Sequence, residues 1–572
     1  VNADEVKGAV SRGESLQGVT LERLDLRGAR LDGAQLRGAK LHFVALDDAS
    51  LVGADLGEAE VVGCSMVGAN LDGARLENAT FLRANAAKLS LRGAHARGVK
   101  LVHSDLAELC AERADLAGAA FVRSTLASAR FAEATLRETH FDEAVAPKCD
   151  FAGASFERAT FAKAVLRGSR FVGARLFESA LVEADLTSCD FDGATIDSCI
   201  ASGADLRGAF LPTEMTRSVF DHVKFSRRDR ADAEPVDGER ESADLSGKNL
   251  FFSSFQGVSF VGADLSSANL ECANLVGCDL TDAKLEAARL ARAMLRDTKL
   301  LGVTLAGLEL EMTDLTRAVL ADVDLSGCHL MMTELTGADL SGANLTRTFF
   351  MAASLEEASL VGAKLEATRF RSVVFDRTDL RQLPIAGLTF ERCSFVEANL
   401  SSMSLKRTQF PDCDFSGANL ERSNLDQANL ARANFKGAKL AGAVLTRTRA
   451  KGAFFGESSA EGTSFLGAML RRSNFEEATL KRADLRGADL RESFLERVRA
   501  ESAVFASVDL SFSDLSHAIL DKADLSDANL HRANLHAVRA DGASWARANR
   551  ASARDTDDAR LAAEAYIPPP VT

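Results

Sequence analysis

Residues 263–280 read ADLSSANLECANLVGCDL. Leu occupies every fifth position, at Leu265, Leu270, Leu275 and Leu280. A small residue stands two places before each, and Asp or Asn directly before each. A period of five matches neither the turn of an α-helix nor the alternation of a strand, so both templates fail. The same unit runs from Leu16 to Leu211, with centres Leu21, Leu26, Leu31 and onward, and again from Leu245 to Trp545. A 572-residue chain would ordinarily divide into several domains. A repeat of this kind grows instead by stacking neighbour on neighbour.

Phe spacing sets the larger unit. Phe131, Phe151, Phe171 and Phe191 fall twenty residues apart, as do Phe121, Phe141 and Phe161. The two series are ten residues out of phase, which places them on opposite walls if four units close one coil. Phe350, Phe370, Phe390 and Phe410 repeat the pattern, as do Phe375, Phe395, Phe415, Phe435, Phe455 and Phe475. Rings stacked in columns would fill a coil's interior evenly. The chain has 34 Phe against one Trp and one Tyr, which fits dry packing better than a platform for stacking bases.

These residues resemble the pentapeptide-repeat family, whose unit is written A(D/N)LXX. The resemblance covers Leu16 to Trp545 and implies an all-β fold, a right-handed quadrilateral β-helix of about 20 residues per coil. In that fold the centre and the small residue two before it point inward, and the other three face solvent. Cys64, Cys149, Cys189, Cys199, Cys278, Cys328, Cys393 and Cys413 occupy the small inward slot, as buried hydrophobes. Cys110 and Cys272 fall on outward positions. Ten cysteines without a C-x-x-C point to a reducing cytoplasm.

The departures from the unit give the expected organisation. Residues 1–15 form a cap or linker, with Val6 and Val10 one helical turn apart. The first array spans 16–211. In 212–244 the frame slips by one residue beside Pro212, Met215, Phe220 and Phe225 hold the new frame, Leu245 follows Phe225 by twenty residues, and Ser226–Ser242 (SRRDRADAEPVDGERES) reads as a polar loop thrown out from the solenoid wall. The second array spans 245–545, with Trp545 suited to plug the last coil. Residues 546–572 hold a capping helix over Thr556–Ala565 and a tail with Pro568, Pro569 and Pro570. The chain starts at Val1, which points to a processed or truncated product with a part upstream.

A net charge of −14 and a pI near 5.3 disfavour direct nucleic-acid binding. No apolar run is long enough to span a membrane. The abundant Asp and Asn are periodic and do not form a catalytic dyad, and most Gly sit two after a centre, at coil corners. His517 and His536 can meet on one wall, but the repeat supplies no third metal ligand. The reading is therefore of a non-enzymatic protein with no cofactor, and two features could hold a protein partner. Met312, Met331, Met332, Phe349 and Met351 fall on outward positions around Leu310, Leu330 and Phe350, with Phe251 and Phe252 outward as well. The loop carries Arg227, Arg228, Arg230, Glu234, Asp237 and Glu239.

Some members of the family mimic duplex DNA and modulate type II topoisomerases. Roughly 25 coils at ~4.8 Å each would match a length of duplex carrying about 70 charges, far above the −14 here. The stretch AVSRGESLQGVTLERLDLRGARLDGA, residues 9–34, is similar to junctions where bacterial adaptors of type VI secretion pass into such an array. The favoured expectation is a rigid protein-interaction scaffold or adaptor, cytoplasmic and recruited to or exported by a secretion apparatus. A DNA-mimicking modulator of a type II topoisomerase is the alternative.

Overall fold

The computed structural model describes residues 2–226 and 242–565. It divides into two compact units, Val1–Lys299 and Leu300–Thr572. In the first, Asp25 pairs with Ala45, Arg30 with Ser50, Gln35 with Asp55 and Lys40 with Glu60, all in parallel. Successive five-residue steps each meet the next turn twenty residues on, so every coil has four walls. The second unit repeats this, with Asp324 on Asn344, His329 on Phe349, Glu334 on Ser354 and Asp339 on Ser359. Each is an all-β solenoid.

Where pairing extends over more than one residue, short strands form. β1–β5 are Thr20–Glu22, Lys40–His42, Glu60–Val62, Thr80–Leu82 and Lys100–Val102. β6–β9 are Ser155–Glu157, Arg175–Phe177, Thr195–Asp197 and Glu214–Thr216. β10–β13 are His329–Met331, Phe349–Met351, Arg369–Arg371 and Phe390–Glu391. Each group is one parallel sheet in chain order.

The polar position before each centre has a structural task. Its side-chain oxygen accepts the backbone N–H two residues on, as Asn70 does from Asp72 at 2.9 Å and Asp324 from Ser326 at 2.9 Å. This Asx turn folds the chain around the corner. The residue two after the centre then takes a left-handed conformation, with φ of 62° at Gly28, which glycine adopts without steric cost.

Inside, the Phe series form stacked columns. Phe121, Phe141 and Phe161 stack at 4.9 and 5.0 Å, and Phe131 and Phe151 at 5.1 Å. The two columns meet edge to face across the core, Phe131 to Phe141 at 5.8 Å and 89°. In the second unit Phe375, Phe395, Phe415 and Phe435 stack at 5.1, 4.8 and 4.9 Å. The small slot accepts Cys, Ser or Thr because each reaches a carbonyl of the preceding coil. Cys328 Sγ donates to Leu305 at 2.8 Å, Thr348 Oγ1 to Leu325 at 2.8 Å and Ser493 Oγ to Leu470 at 2.9 Å. Among the described residues no slot hydroxyl is left without a partner. Burial pushes the Cys149 and Cys189 thiols up to about 12.

One expectation about the inward and outward slots needs correction. Cys110, in an outward column with Ser90 and Arg130, is nonetheless buried. The Arg92 guanidinium lies against its sulfur, and Arg92 and Arg130 both pair with Glu112 over it. The helix at the start, α1 (Ala3–Ser11), buries Val6 and Ala9, with Val10 only half-buried. It is fixed by a capping box between Asn2 and Glu5. Phe220 stacks on Phe255 at 5.3 Å and the Met215 N–H bonds the Asn249 carbonyl, so the walls of Phe225 and Leu245 are consecutive. At the other end the helix expected within residues 556–565 is α2 (Asp558–Glu564), which buries no residue. The Trp545 ring is half-buried under the Arg550 guanidinium, 4.9 Å from its centroid.

Candidate functional site

The outward Met and Phe positions come together on the wall of β10–β12. Pairing puts His329, Phe349 and Arg369 in one outward column and Met331, Met351 and Arg371 in another, on either side of inward Leu330, Phe350 and Phe370. Met312 N–H bonds the Met331 carbonyl and Met332 N–H the Met351 carbonyl, both at 2.8 Å. All five residues therefore lie in adjacent coils. Met312 and Met332 are 46% and 44% exposed, and the other three are half-buried between strands. The repeat asks for polar side chains at these positions, and this wall presents thioethers and a ring.

The patch runs into a groove of about 610 Å³ lined by Phe349, Arg369, Arg371, Leu388 and Glu391. One wall earlier the ladder is interrupted. Lys364 N–H donates to the Ala343 carbonyl at 2.9 Å, but Pro384 at the equivalent position of the next coil has no N–H to give.

Several exposed apolar residues escaped the sequence reading, Phe494 and Phe512 among them. Phe494 and Phe512, 55% and 53% exposed, line a cavity of about 590 Å³ with Arg472, Asp514 and Arg532. Both occupy outward positions of the unit, the signal that marked the Met patch. Phe251 and Phe252, in the first unit, are 38% and 62% exposed with rings 6.1 Å apart. The loop residues Arg227, Arg228, Arg230, Glu234, Asp237 and Glu239 lie outside the described residues.

Many outward carboxylates face an arginine. Asp25, Asp205, Asp379, Asp484 and Asp489 each hold the Arg two residues on, at 2.6 to 2.7 Å. Others pair between coils, as Arg113 with Glu133 and Arg123 with Glu143, both at 2.8 Å. The hydrogen bond from Arg27 holds the Asp25 carboxyl down to about 2. Such exposed pairs add little stability, but they cancel the acidic field of the walls locally.

The second cluster lies at the C-terminal end. His517 and His536 meet edge to face, with ring centroids 5.4 Å apart. The third group that the repeat lacks comes from α2: Glu564 Oε2 lies 3.2 Å from Nε2 of each histidine. His536 is buried, and its Nδ1 accepts the Asp557 N–H at 3.1 Å, which places the ring proton on Nε2, toward Glu564. Arg560 donates to the other oxygen of Glu564 at 2.7 Å. That bond, ahead of the His536 contact, holds the carboxyl below the usual range. No helix among the described residues is long and apolar enough to cross a membrane.

A sequence signature described as "Pentapeptide repeats (8 copies)" matches residues 15–53, 49–85, 143–177, 174–211, 243–282, 273–307, 313–350, 350–382, 451–487, 461–497, 483–520 and 509–544, more than half of the chain. A second, "Pentapeptide repeat region", matches residues 385–448. No curated protein matches the chain. Among solved structures, HetL, a pentapeptide repeat protein involved in heterocyst differentiation regulation from the cyanobacterium Nostoc sp. strain PCC 7120, is 19% identical. The match covers 65% of this chain and 96% of HetL, with a TM-score of 0.15. Full-length QnrB1, a plasmid-mediated fluoroquinolone resistance protein, is 17% identical over 42% of this chain and 93% of its own, with a TM-score of 0.18. A pentapeptide repeat protein of the Arabidopsis thaliana thylakoid lumen is 26% identical over 20% of this chain and 68% of its own, with a TM-score of 0.10.

Proposed function

Because the chain belongs to the pentapeptide-repeat family, we propose that it is a non-enzymatic protein-interaction scaffold whose docking surface is the Met312–Met351 patch. The observation that carries this reading is the grouping of five apolar side chains at positions the repeat otherwise fills with polar ones. Methionine is flexible and polarizable and suits a surface that must fit a partner's apolar side chains. Arg369 and Arg371 border the patch and add a charged rim. Outward carboxylates elsewhere are engaged in Asx turns and arginine pairs, which supports a structural role for them.

Replacing Met331, Met332 and Met351 together with Ser tests the proposal. The circular dichroism spectrum is expected to be unchanged and the unfolding midpoint to move little, since the Phe columns beneath are untouched. Proteins captured from a native lysate by the wild-type chain are expected to be lost from the variant. A variant that keeps every captured partner shows that docking occurs elsewhere.

Cytoplasmic residence and recruitment to, or export by, a secretion apparatus belong to the same proposal. The second reading is modulation of a type II topoisomerase. QnrB1, to which part of the chain is similar, is described as a plasmid-mediated fluoroquinolone resistance protein. The arginine-paired walls weigh against a DNA-like surface. A gyrase supercoiling assay unaffected by micromolar protein removes this reading.

A further inference from the structure

The C-terminal helix presents a problem of anchorage. α2 is seven residues long and buries none of them, and a helix so short is not stable alone in water. Leu561, its largest apolar side chain, is 40% exposed. Its position against the last coils rests on polar contacts, and these converge on one point. His517 Nε2, His536 Nε2 and a Glu564 oxygen all lie within 4.8 Å of one another.

The geometry points to a divalent transition-metal site, best suited to Zn²⁺, formed by His517, His536 and Glu564, that staples α2 to the end of the solenoid. Two imidazoles and one carboxylate are a recurring donor set for zinc, with water as the fourth ligand. Tetrahedral ligands about 2.0–2.1 Å from zinc stand roughly 3.3 Å from one another, and Glu564 Oε2 is 3.2 Å from each Nε2. The surroundings also fit. Arg560 holds Oε1 of Glu564 and leaves Oε2 aimed at the histidines, the kind of outer contact that orients a carboxylate ligand.

One hydrogen bond must change. Without metal, His536 Nδ1 accepts the Asp557 N–H and Nε2 carries the proton. On loading, that proton moves to Nδ1 and the Nε2 lone pair binds the metal. Asp557 is exposed, at the start of α2, so its N–H can turn to water. His517, half-buried, has no such restraint.

The test uses the untagged full chain, stripped with a chelator and titrated with ZnCl₂ by calorimetry. One equivalent is expected to bind to the wild type, with affinity falling by more than about tenfold in His517→Ala and in Glu564→Gln. Co²⁺ in place of Zn²⁺ is expected to give the visible absorption of a tetrahedral site, absent from both variants. Zinc is also expected to slow tryptic cleavage after Arg560 in the wild type alone. His517 and Glu564 lie outside the packed core, so both variants fold. Binding of equal strength in wild type and variants would place the metal on other histidines and overturn the proposal. Absence of binding at micromolar zinc would overturn it too, leaving a latch of hydrogen bonds.

Discussion

Replacing Phe141 with Ala is expected to destabilise the first unit by about 3–5 kcal/mol. Phe141 is fully buried. It stacks on Phe121 and Phe161 at 4.9 and 5.0 Å and meets the edges of Phe131 and Phe151 at 5.8 Å each. Removing it takes a ring from the middle of one column and one edge contact each from Phe131 and Phe151. Neighbouring coils cannot collapse into the gap, because their spacing is fixed by backbone ladders on four walls. Because each coil contacts chiefly its neighbours, the loss should be local. Amide exchange is expected to accelerate first around residues 121–161, before the rest of the unit. The control is Phe512→Ala. That ring is 53% exposed, and its loss should cost within roughly 1 kcal/mol. Equal urea midpoints for the two variants would mean that the columns do not carry the core.

The second large effect is expected in the small slot. Ala433 is fully buried two residues before Phe435, in the column between Cys413 and Ala453. Ala433→Asp puts a carboxylate against the carbonyl oxygen that slot side chains donate to, with at most one backbone N–H to meet it, as Ser169 accepts from Cys149 at 2.9 Å, and no cation. An uncompensated buried charge costs about 3–5 kcal/mol or more, and the variant is expected to lose the cooperative unfolding of the second unit. Ala433→Ser should cost no more than about 1 kcal/mol. Its hydroxyl can donate to the Phe410 carbonyl, as Ser493 does to Leu470 at 2.9 Å. The same Asp placed one residue on, as Asn434→Asp, faces outward; it gives up the Nδ2 bond to Asp414 at 3.1 Å but stays hydrated, and should cost only about 1 kcal/mol. If urea midpoints fail to separate the two Asp variants, the division into inward and outward positions is wrong.

That division could be read directly from residues. A five-residue spacing leaves few ways to bury one side chain per step, and Phe columns twenty apart fix the number of walls. The eight inward cysteines follow from the same count. Cys110 does not, because its burial depends on which way Arg92 and Arg130 lean across coils, and spacing says nothing about that. A count from Phe225 to Leu245 cannot by itself tell a whole coil from an insertion between consecutive walls. Only the stacking of Phe220 on Phe255 decides it. The Met patch was legible as a violation of the unit. Phe494 and Phe512 violate it equally and went unnoticed because they stand alone in sequence. Glu564 was beyond reach for a different reason. It belongs to no repeat, and its approach to His517 and His536 depends on where a short helix lands.

The central claim, that the repeat assigns each position to the inside or the outside, is tested most directly by mapping the ten cysteines. Iodoacetamide applied to the native chain near pH 8, followed by peptide mass mapping, reads each thiol separately. Cys272, half-buried, is expected to be modified promptly. The nine buried thiols are expected to stay unmodified until denaturant is added, since burial both shields them and, for several, suppresses the thiolate. Prompt native labelling of Cys149, Cys189, Cys278 or Cys328 would contradict the coil.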